Sequence, residues 1–131
     1  MQTFKEVAQG GKKKSDDSID KLICKCLGLV YHFHCAHFMA TSYHEHVIYE
    51  EFYTGIGELG DKLAETYIGI TESFKPVTIQ ETTFDALLLI DSLIFAVDSV
   101  YDNSDSSLQS IMDEIKTLCY TTRYKLTKFN K

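Results

Sequence analysis

The 131-residue sequence predicts an all-α protein, a four-helix bundle with a ferritin-like arrangement, and three observations support this prediction. The chain has only one proline and seven glycines, which favours helices over strands, and 44% of its residues are apolar. Helix-capping signals recur and divide the chain into four long segments. Apolar residues within those segments repeat at the three- and four-residue spacing of one helix face. Four amphipathic helices of similar length pack most simply as a bundle, here a single domain over residues 18–131 behind a flexible polar tail at 1–17.

The first two helices are predicted over residues 18–40 and 43–69. Asp17 or Ser18 can cap the first, and the pair Ser42 and Glu45 forms a capping box for the second, which is expected to end at Gly69. Three glycines inside the second helix predict either a kink or a close approach by a neighbouring helix; they are Gly55, Gly57 and Gly60. The apolar stripe of the first helix contains Ile19, Leu22, Ile23, Cys26, Val30 and Phe33, and His37 extends it.

The third and fourth helices are predicted over residues 82–102 and 107–129, the last with an apolar seam from Leu108 to Phe129. Capping boxes at Thr78 or Thr82 can start the third helix, and one at Ser106 starts the fourth. A start at Thr82 leaves twelve residues, which span about 40 Å when extended and can cross the whole bundle. A start at Thr78 predicts a plain up-down-up-down bundle instead.

Composition excludes several classes of function. The net charge of −6 argues against a dedicated nucleic-acid binder. The three lysines at 12–14 could contact DNA phosphates, but they lie beside Asp16 and Asp17, so any DNA binding is expected to be weak or absent. No targeting signal opens the chain, and no uninterrupted apolar run reaches the length of a membrane span. We therefore expect a cytoplasmic protein without membrane contact, with its four cysteines reduced.

Candidate metal ligands lie along the second helix. His46, Glu50, Asp61 and Glu65 are separated by 4, 11 and 4 residues, so one helix presents all of them on much the same face. Imidazole and carboxylate groups at this spacing are suited to a divalent transition metal. The two ends of the set are about 16 to 22 Å apart, too far for one ion. Either two half-sites meet across a two-fold dimer, or part of the set binds metal, or the stripe is simply solvated.

Residues 30–70 resemble the core of Dps-type mini-ferritins, and more closely the short ferritin-like proteins encoded by tailed phages. The family's phage pattern has a histidine beside an aromatic residue, then Ser-Tyr, a histidine, and Asp, Glu, Tyr and Gly. Phe38 stands where that pattern has tryptophan, and Thr66 where mini-ferritins have arginine. The matching residues are His37, Phe38, Ser42, Tyr43, His46, Asp61, Glu65, Tyr67 and Gly69.

The resemblance implies an iron site shared between two subunits of a homo-oligomer, from a dimer to a dodecameric shell. One chain would supply His46 and Glu50 with His37 or His34, and the other Asp61 and Glu65. His34 keeps the mini-ferritin spacing of twelve residues to His46, whereas His37 keeps the aromatic neighbour and is favoured. Such sites oxidise ferrous iron with peroxide or oxygen, in the host cytoplasm if the chain is phage-encoded.

Two alternatives remain open. The first is a non-enzymatic structural or interaction protein of phage type that reuses the bundle as a scaffold. The second is a zinc site at His34, Cys35 and His37, three residues that are close in sequence for tetrahedral geometry without a fourth ligand. The Glu-x-x-His pairs of classical ferritins are absent, which argues against a metal site enclosed within one bundle.

Overall fold

The computed structural model describes residues 14–129, with side chains from Ile19 onward, and confirms the all-α four-helix bundle. Residues 1–13 of the expected tail lie outside the described residues, whereas residues 14–17 belong to the first helix. Each helix begins and ends within about four residues of its predicted bounds. The helices are α1 Lys14–Met39, α2 Tyr43–Thr71, α3 Ala86–Tyr101 and α4 Ser106–Lys128.

The helices sit at the corners of a square. α1 packs against α2 and α3, and α4 packs against the same two helices. Ion pairs between α2 and α4 show that these run antiparallel, because Glu51 contacts Lys125 while Lys62 contacts Glu114. The pairs Asp91–Arg123 and Asp98–Lys116 show the same for α3 and α4. α2 and α3 therefore run parallel to each other.

Parallel α2 and α3 require the connection at residues 72–85 to cross the length of the bundle. It does so along α1: the Val77 N–H donates to Cys24 Sγ at 3.3 Å, and Phe84 stacks on His32 with ring centroids 5.0 Å apart. The bundle is up-down-down-up, with the single long crossover that ferritin-like bundles have. Of the two topologies left open by the sequence, the crossover is the one adopted.

Helix caps follow the predicted chemistry but not always the predicted residue. Ser42 caps α2 as expected, since its Oγ accepts from the Glu45 N–H at 3.1 Å. The predictions for α3 and α4 were wrong: Asp85 accepts from the Leu88 N–H at 3.1 Å, and Asp105 from the Ser107 N–H at 2.9 Å. A short carboxylate directly before the helix reaches these N–H groups and displaces the serine and threonine alternatives.

α2 was predicted to end near Gly69, but it continues to Thr71. The left-handed residue that closes it is Glu72, with φ 60° and ψ 28°, and its N–H donates to Ile68 O at 2.7 Å. Nothing lies within 4 Å of the position of a Gly69 Cβ, so no contact forces a stop there. The helix ends where the chain must turn into the crossover.

The core is the apolar centre of the square. The predicted stripe of α1 is buried except for half-buried Val30, and the predicted seam of α4 is buried except at half-buried Leu118 and at Phe129, which is exposed beyond the end of the helix. The largest fully buried side chains include Phe33, Phe52, Ile56, Leu63, Ile90 and Leu93.

Close approach, and not a kink, explains the glycines of α2, which is one unbroken helix. A Cβ placed on Gly60 would stand 3.0 Å from the Cβ of Cys26 on α1. A Cβ on Gly55 would meet Leu118 of α4 at 3.0 Å. Small residues at these points allow α1 and α4 to pack against α2 at short range.

One segment of the described chain, Ile19–Met39, is long and apolar enough to cross a membrane by length and composition alone, with a mean hydropathy of 1.2. The sequence-based expectation missed it, because an aspartate, two lysines and three histidines interrupt the apolar run, whereas three cysteines raise its average hydropathy. The core helix of a bundle passes the same test, and α1 contributes Leu22, Leu29 and Phe33 to this core.

Candidate metal centre

Two histidines join α1 to α2 at the turn between them. His37 Nδ1 donates to the main-chain oxygen of His46 at 2.7 Å, and His46 Nδ1 donates to that of His37 at 3.0 Å. The rings stack with centroids 3.6 Å apart and planes inclined by 20°, and His37 is 7% exposed. Because a carbonyl only accepts, each Nδ1 carries its hydrogen, and in the neutral ring Nε2 keeps its lone pair. This is the orientation in which protein histidines bind metals through Nε2.

Stacking limits what the pair can bind. An imidazole lone pair lies in the plane of its ring, and these two rings are stacked nearly parallel with centroids 3.6 Å apart. One ion cannot lie in both planes at bonding distance, since Fe–N and Zn–N bonds are about 2 Å long. Either one of the two rings ligates, or each ring contacts a separate ion.

His34 occupies the open side of this cluster. It is exposed, and its ring lies between Tyr53 at 4.3 Å and Phe38 at 4.8 Å, stacked on both. Its centroid is 5.8 Å from that of His37. Partial burial, and then the charge of Glu50, raise the pKa of Tyr53 above its ordinary value. Tyr53 on α2 therefore contacts the histidines of α1 through its ring.

Tyr53 is the residue at this site that the sequence analysis missed. Its ring centroid is also 5.5 Å from that of His37. It follows His46 by seven residues, two helical turns, so a search of the ligand face for aromatic neighbours would have found it. Tyr43, whose ring centroid is 6.0 Å from that of His46, is one of the residues that match the phage pattern.

The three candidate carboxylate ligands lie on α2 at the helical spacing that the sequence predicts. Glu50, Asp61 and Glu65 are all exposed on α2, and none forms an ion pair with the residues whose side chains are described. Asp61 and Glu65 lie roughly 16 and 22 Å along the helix from Glu50, and further from His46, by the helical rise. The structure thus brings together His34, His37 and His46, and keeps the two distal carboxylates apart from them.

No group of three or more His, Cys, Asp or Glu side chains within residues 19–129 is arranged to hold one metal ion. The trio proposed for zinc, His34, Cys35 and His37, is included in that statement.

Comparison with known proteins gives a family but no function. The model of a family described as Family of unknown function (DUF5856) matches residues 37–126. A protein of Enterobacteria phage T4, described as an uncharacterized 14.6 kDa protein in the mobD-ri intergenic region, is 27% identical over 127 residues, which cover 95% of this chain and 97% of the relative. No solved structure matches. Neither description names an iron protein, so the likeness to mini-ferritins stays a prediction.

Proposed function

The chain belongs to the DUF5856 family of unknown function, and from this premise we propose that it binds iron at a site formed between two copies. The observation that carries the proposal is the pair of Nδ1 bonds, which orients two imidazoles and leaves Nε2 of each for a ligand. Similarity to a phage protein over nearly the whole chain supports action inside the host cell.

The three histidines differ in burial, and we assign them different roles on that basis. His37 is almost fully buried and stacked on His46, so we assign it to orienting that ring. His34 is exposed and lies on the side of Tyr53, which Glu50 influences. We therefore place His34, His46 and Glu50 in one half-site. His34 thus takes the place of His37, the ligand that the sequence favoured.

The second half-site is supplied by Asp61 and Glu65 of another copy. The midpoint of the four ligands on α2 falls at about residues 55 and 56, so a two-fold axis there brings the histidine end of one α2 against the distal carboxylates of the other. An exposed apolar stripe on the adjoining α1 supports contact with a second copy. It contains Leu27, Tyr31 and Phe38, which are 45%, 62% and 72% exposed.

The donor set fits a divalent first-row metal, because it combines imidazole nitrogens with carboxylate oxygens. Bound iron would supply the redox chemistry, in which ferrous iron is oxidised by oxygen or peroxide. The residues of the chain hold and orient the ion, and the exposed carboxylates attract it. Storage of iron in a closed shell is the furthest extension of the proposal.

The test is an anaerobic ferrous titration of the apo-protein, with the mass measured in solution, followed by addition of oxygen or peroxide. We expect stoichiometric binding by a dimer or larger assembly, and loss of at least tenfold in affinity for His46→Ala and for Asp61→Ala. Glu58→Gln, an exposed carboxylate on the same helix, is the matched control and should bind as the unchanged protein does.

Mixing the two variants makes the test sharper. In a mixed dimer of His46→Ala and Asp61→Ala chains, one shared site has both residues intact, so binding should return to about half of the sites. A site within one chain would show no recovery. The same titration with His34→Ala and His37→Ala separates ligand from orienting residue. A folded protein that binds no ferrous iron would overturn the proposal.

The second candidate is a non-enzymatic phage protein that uses the bundle as an interaction scaffold. It is favoured by exposed aromatic side chains, such as Tyr43 at 79% and Phe95 at 75%, and by the lack of a metal group within the described part of one chain. Failure of iron binding in a folded protein would select this candidate.

A further inference from the structure

A groove of about 550 Å³ lies between α1 and α3, and none of its lining residues is a candidate metal ligand. This volume falls within the range of sites that hold small-molecule ligands. Leu22 and Val100 in its lining are buried, whereas Leu88 and Phe95 are 58% and 75% exposed. The groove therefore presents an apolar surface that no described residue covers.

The groove is elongated along α3. Its α3 residues recur every three or four positions from Leu88 to Ser99, a distance of about 16 Å by the helical rise. α1 runs antiparallel to α2, to which a short turn joins it, and therefore antiparallel to α3 as well. The first half of α1 thus lies beside the end of α3, and Lys21 on the other wall stands towards the Ser99 end. This shape suits an unbranched hydrocarbon chain with its polar head beside Lys21.

The charges that line the groove leave one cation without a partner. Lys21 is exposed and forms no ion pair with the residues whose side chains are described. Lys25, one turn further along α1, is paired with Glu81 at 2.7 Å. Asp91 on the opposite wall is paired with Arg123 of α4. The charge left for a ligand is therefore positive, although the whole protein carries a net charge of −6.

The remaining carboxylates of α3 favour a free molecule over a membrane surface as the occupant. Asp98 is paired with Lys116 of α4, and Asp102 lines a separate pocket at the turn between α3 and α4. Neither lines the groove, so neither opposes an anion held inside it. An anionic bilayer would instead cover a whole face of the bundle and meet these exposed carboxylates, which repel it.

We propose that the groove binds a free single-chain amphiphile with an anionic head, of the class of long-chain carboxylates. The hydrocarbon chain lies over Leu88 and Phe95, where it removes exposed apolar surface from water. The carboxylate lies beside Lys21, which supplies the missing opposite charge. The binding does not depend on the proposed iron site, because the two share no residue.

A fluorescent reporter in the groove tests the binding. The protein has no tryptophan, so Phe95→Trp introduces a single one. Titration with laurate, below the concentration at which it forms micelles, should move the emission to shorter wavelength, reduce quenching by acrylamide and saturate at one laurate per chain. Phe38→Trp, at a position that is 72% exposed beside His34, is the control and should not respond. Isothermal titration calorimetry should give the same affinity for the unchanged protein.

The head group is tested by charge variants of the reporter protein. Lys21→Glu should weaken laurate binding by about fivefold to tenfold, because an attractive contact becomes a repulsive one. Ser99→Glu, at an exposed position near the same end, should also weaken it. Lys128→Glu changes the net charge equally on the exposed end of α4 and is the matched control, which should bind as before. Dodecanol and dodecyltrimethylammonium, which have the same chain, should bind more weakly than laurate.

Circular dichroism establishes that each variant is folded. Absence of laurate binding, or equal binding of laurate and dodecyltrimethylammonium that neither glutamate variant changes, would overturn the proposal. Binding only to phosphatidylglycerol vesicles would overturn it in favour of a membrane surface. Emission from Phe95→Trp that is already at short wavelength without laurate would also overturn it: dependence on protein concentration would indicate a second copy in the groove, and independence would indicate the chain itself. Ferrous titration of Lys21→Glu should match that of the unchanged protein, so the two proposals fail separately.

Discussion

Acidic residues in the two hairpins of the bundle differ in whether they form ion pairs. In the α3–α4 hairpin, Asp98 pairs with Lys116 at 2.7 Å and Asp91 pairs with Arg123. In the α1–α2 hairpin, Glu50, Asp61 and Glu65 have no such partner among the described residues, and His37 and His46 form side-chain hydrogen bonds between the helices.

The difference shows which of these carboxylates lack an ion pair within the described chain. A carboxylate already paired with lysine or arginine has its charge neutralised and its lone pairs engaged. A carboxylate left in solvent on the face that also carries an oriented imidazole remains available. Acidic residues occur on both α2 and α3, so their number alone does not distinguish the two faces, whereas their ion-pair partners do.

The largest expected effect is a change of stability with pH. It comes from two buried cysteines in the core, one in each hairpin. Burial raises the pKa of Cys26 on α1 and of Cys119 on α4 from 9.0 to about 12. Between pH 9 and 12 the folded protein keeps thiol protons that the unfolded chain releases. Stability is therefore full below pH 9 and falls as the pH rises towards 12, by about 1.4 kcal/mol per pH unit for each thiol.

Urea unfolding at pH 8, 9.5 and 10.5 measures this slope. Burial also raises the pKa of Tyr49, which titrates in the same range, so the informative quantity is the difference between variants. Cys119→Ala should be less stable at pH 8 and should lose stability more slowly with rising pH. An unchanged slope in that variant would show that the buried thiol does not contribute.

The second prediction concerns close packing in the α1–α2 hairpin. Gly60→Ala places a Cβ 3.0 Å from the Cβ of Cys26, so the helices must separate, and we expect a loss of about 1 to 3 kcal/mol in unfolding free energy. Gly69→Ala, in the same helix with nothing within 4 Å, should gain up to about 1 kcal/mol from helix propensity. Gly55→Ala should fall between them, because the flexible end of Leu118 can move.

Chemical denaturation of the three glycine variants measures this order. Equal stability of Gly60→Ala and Gly69→Ala would mean that α1 and α2 are not in close contact at this point.

The smallest expected effect tests the α3–α4 ion pairs. Asp98→Asn and Asp91→Asn remove exposed charge pairs, so each should cost less than about 1 kcal/mol at low salt and almost nothing at high salt. Glu50→Gln, in the other hairpin, loses no partner and should leave stability unchanged. Thermal unfolding at two salt concentrations compares them, and a large salt-independent loss for Asp98→Asn would remove the contrast between the hairpins.

Helix positions and the apolar stripes were predictable because local spacing determines them. Ser42 was identified correctly, whereas Asp85 and Asp105 were passed over for nearby serine or threonine boxes, since several residues in each turn have capping chemistry. The end of α2 was misplaced because Gly69 is a common stop, and only the path of the crossover shows why Glu72 takes that conformation.

The amino-acid sequence by itself determined the four helices, the buried faces and the shared face of the candidate ligands on α2, because helical periodicity places residues on a face without reference to the rest of the fold. Tertiary structure alone decided that α2 and α3 run parallel, that His37 is buried against His46, and that His34 lies exposed beside Tyr53. These features depend on contacts between residues of different helices. The path of the crossover and the packing of α1 on α2 establish those contacts, which the residue pattern within a single helix does not predict.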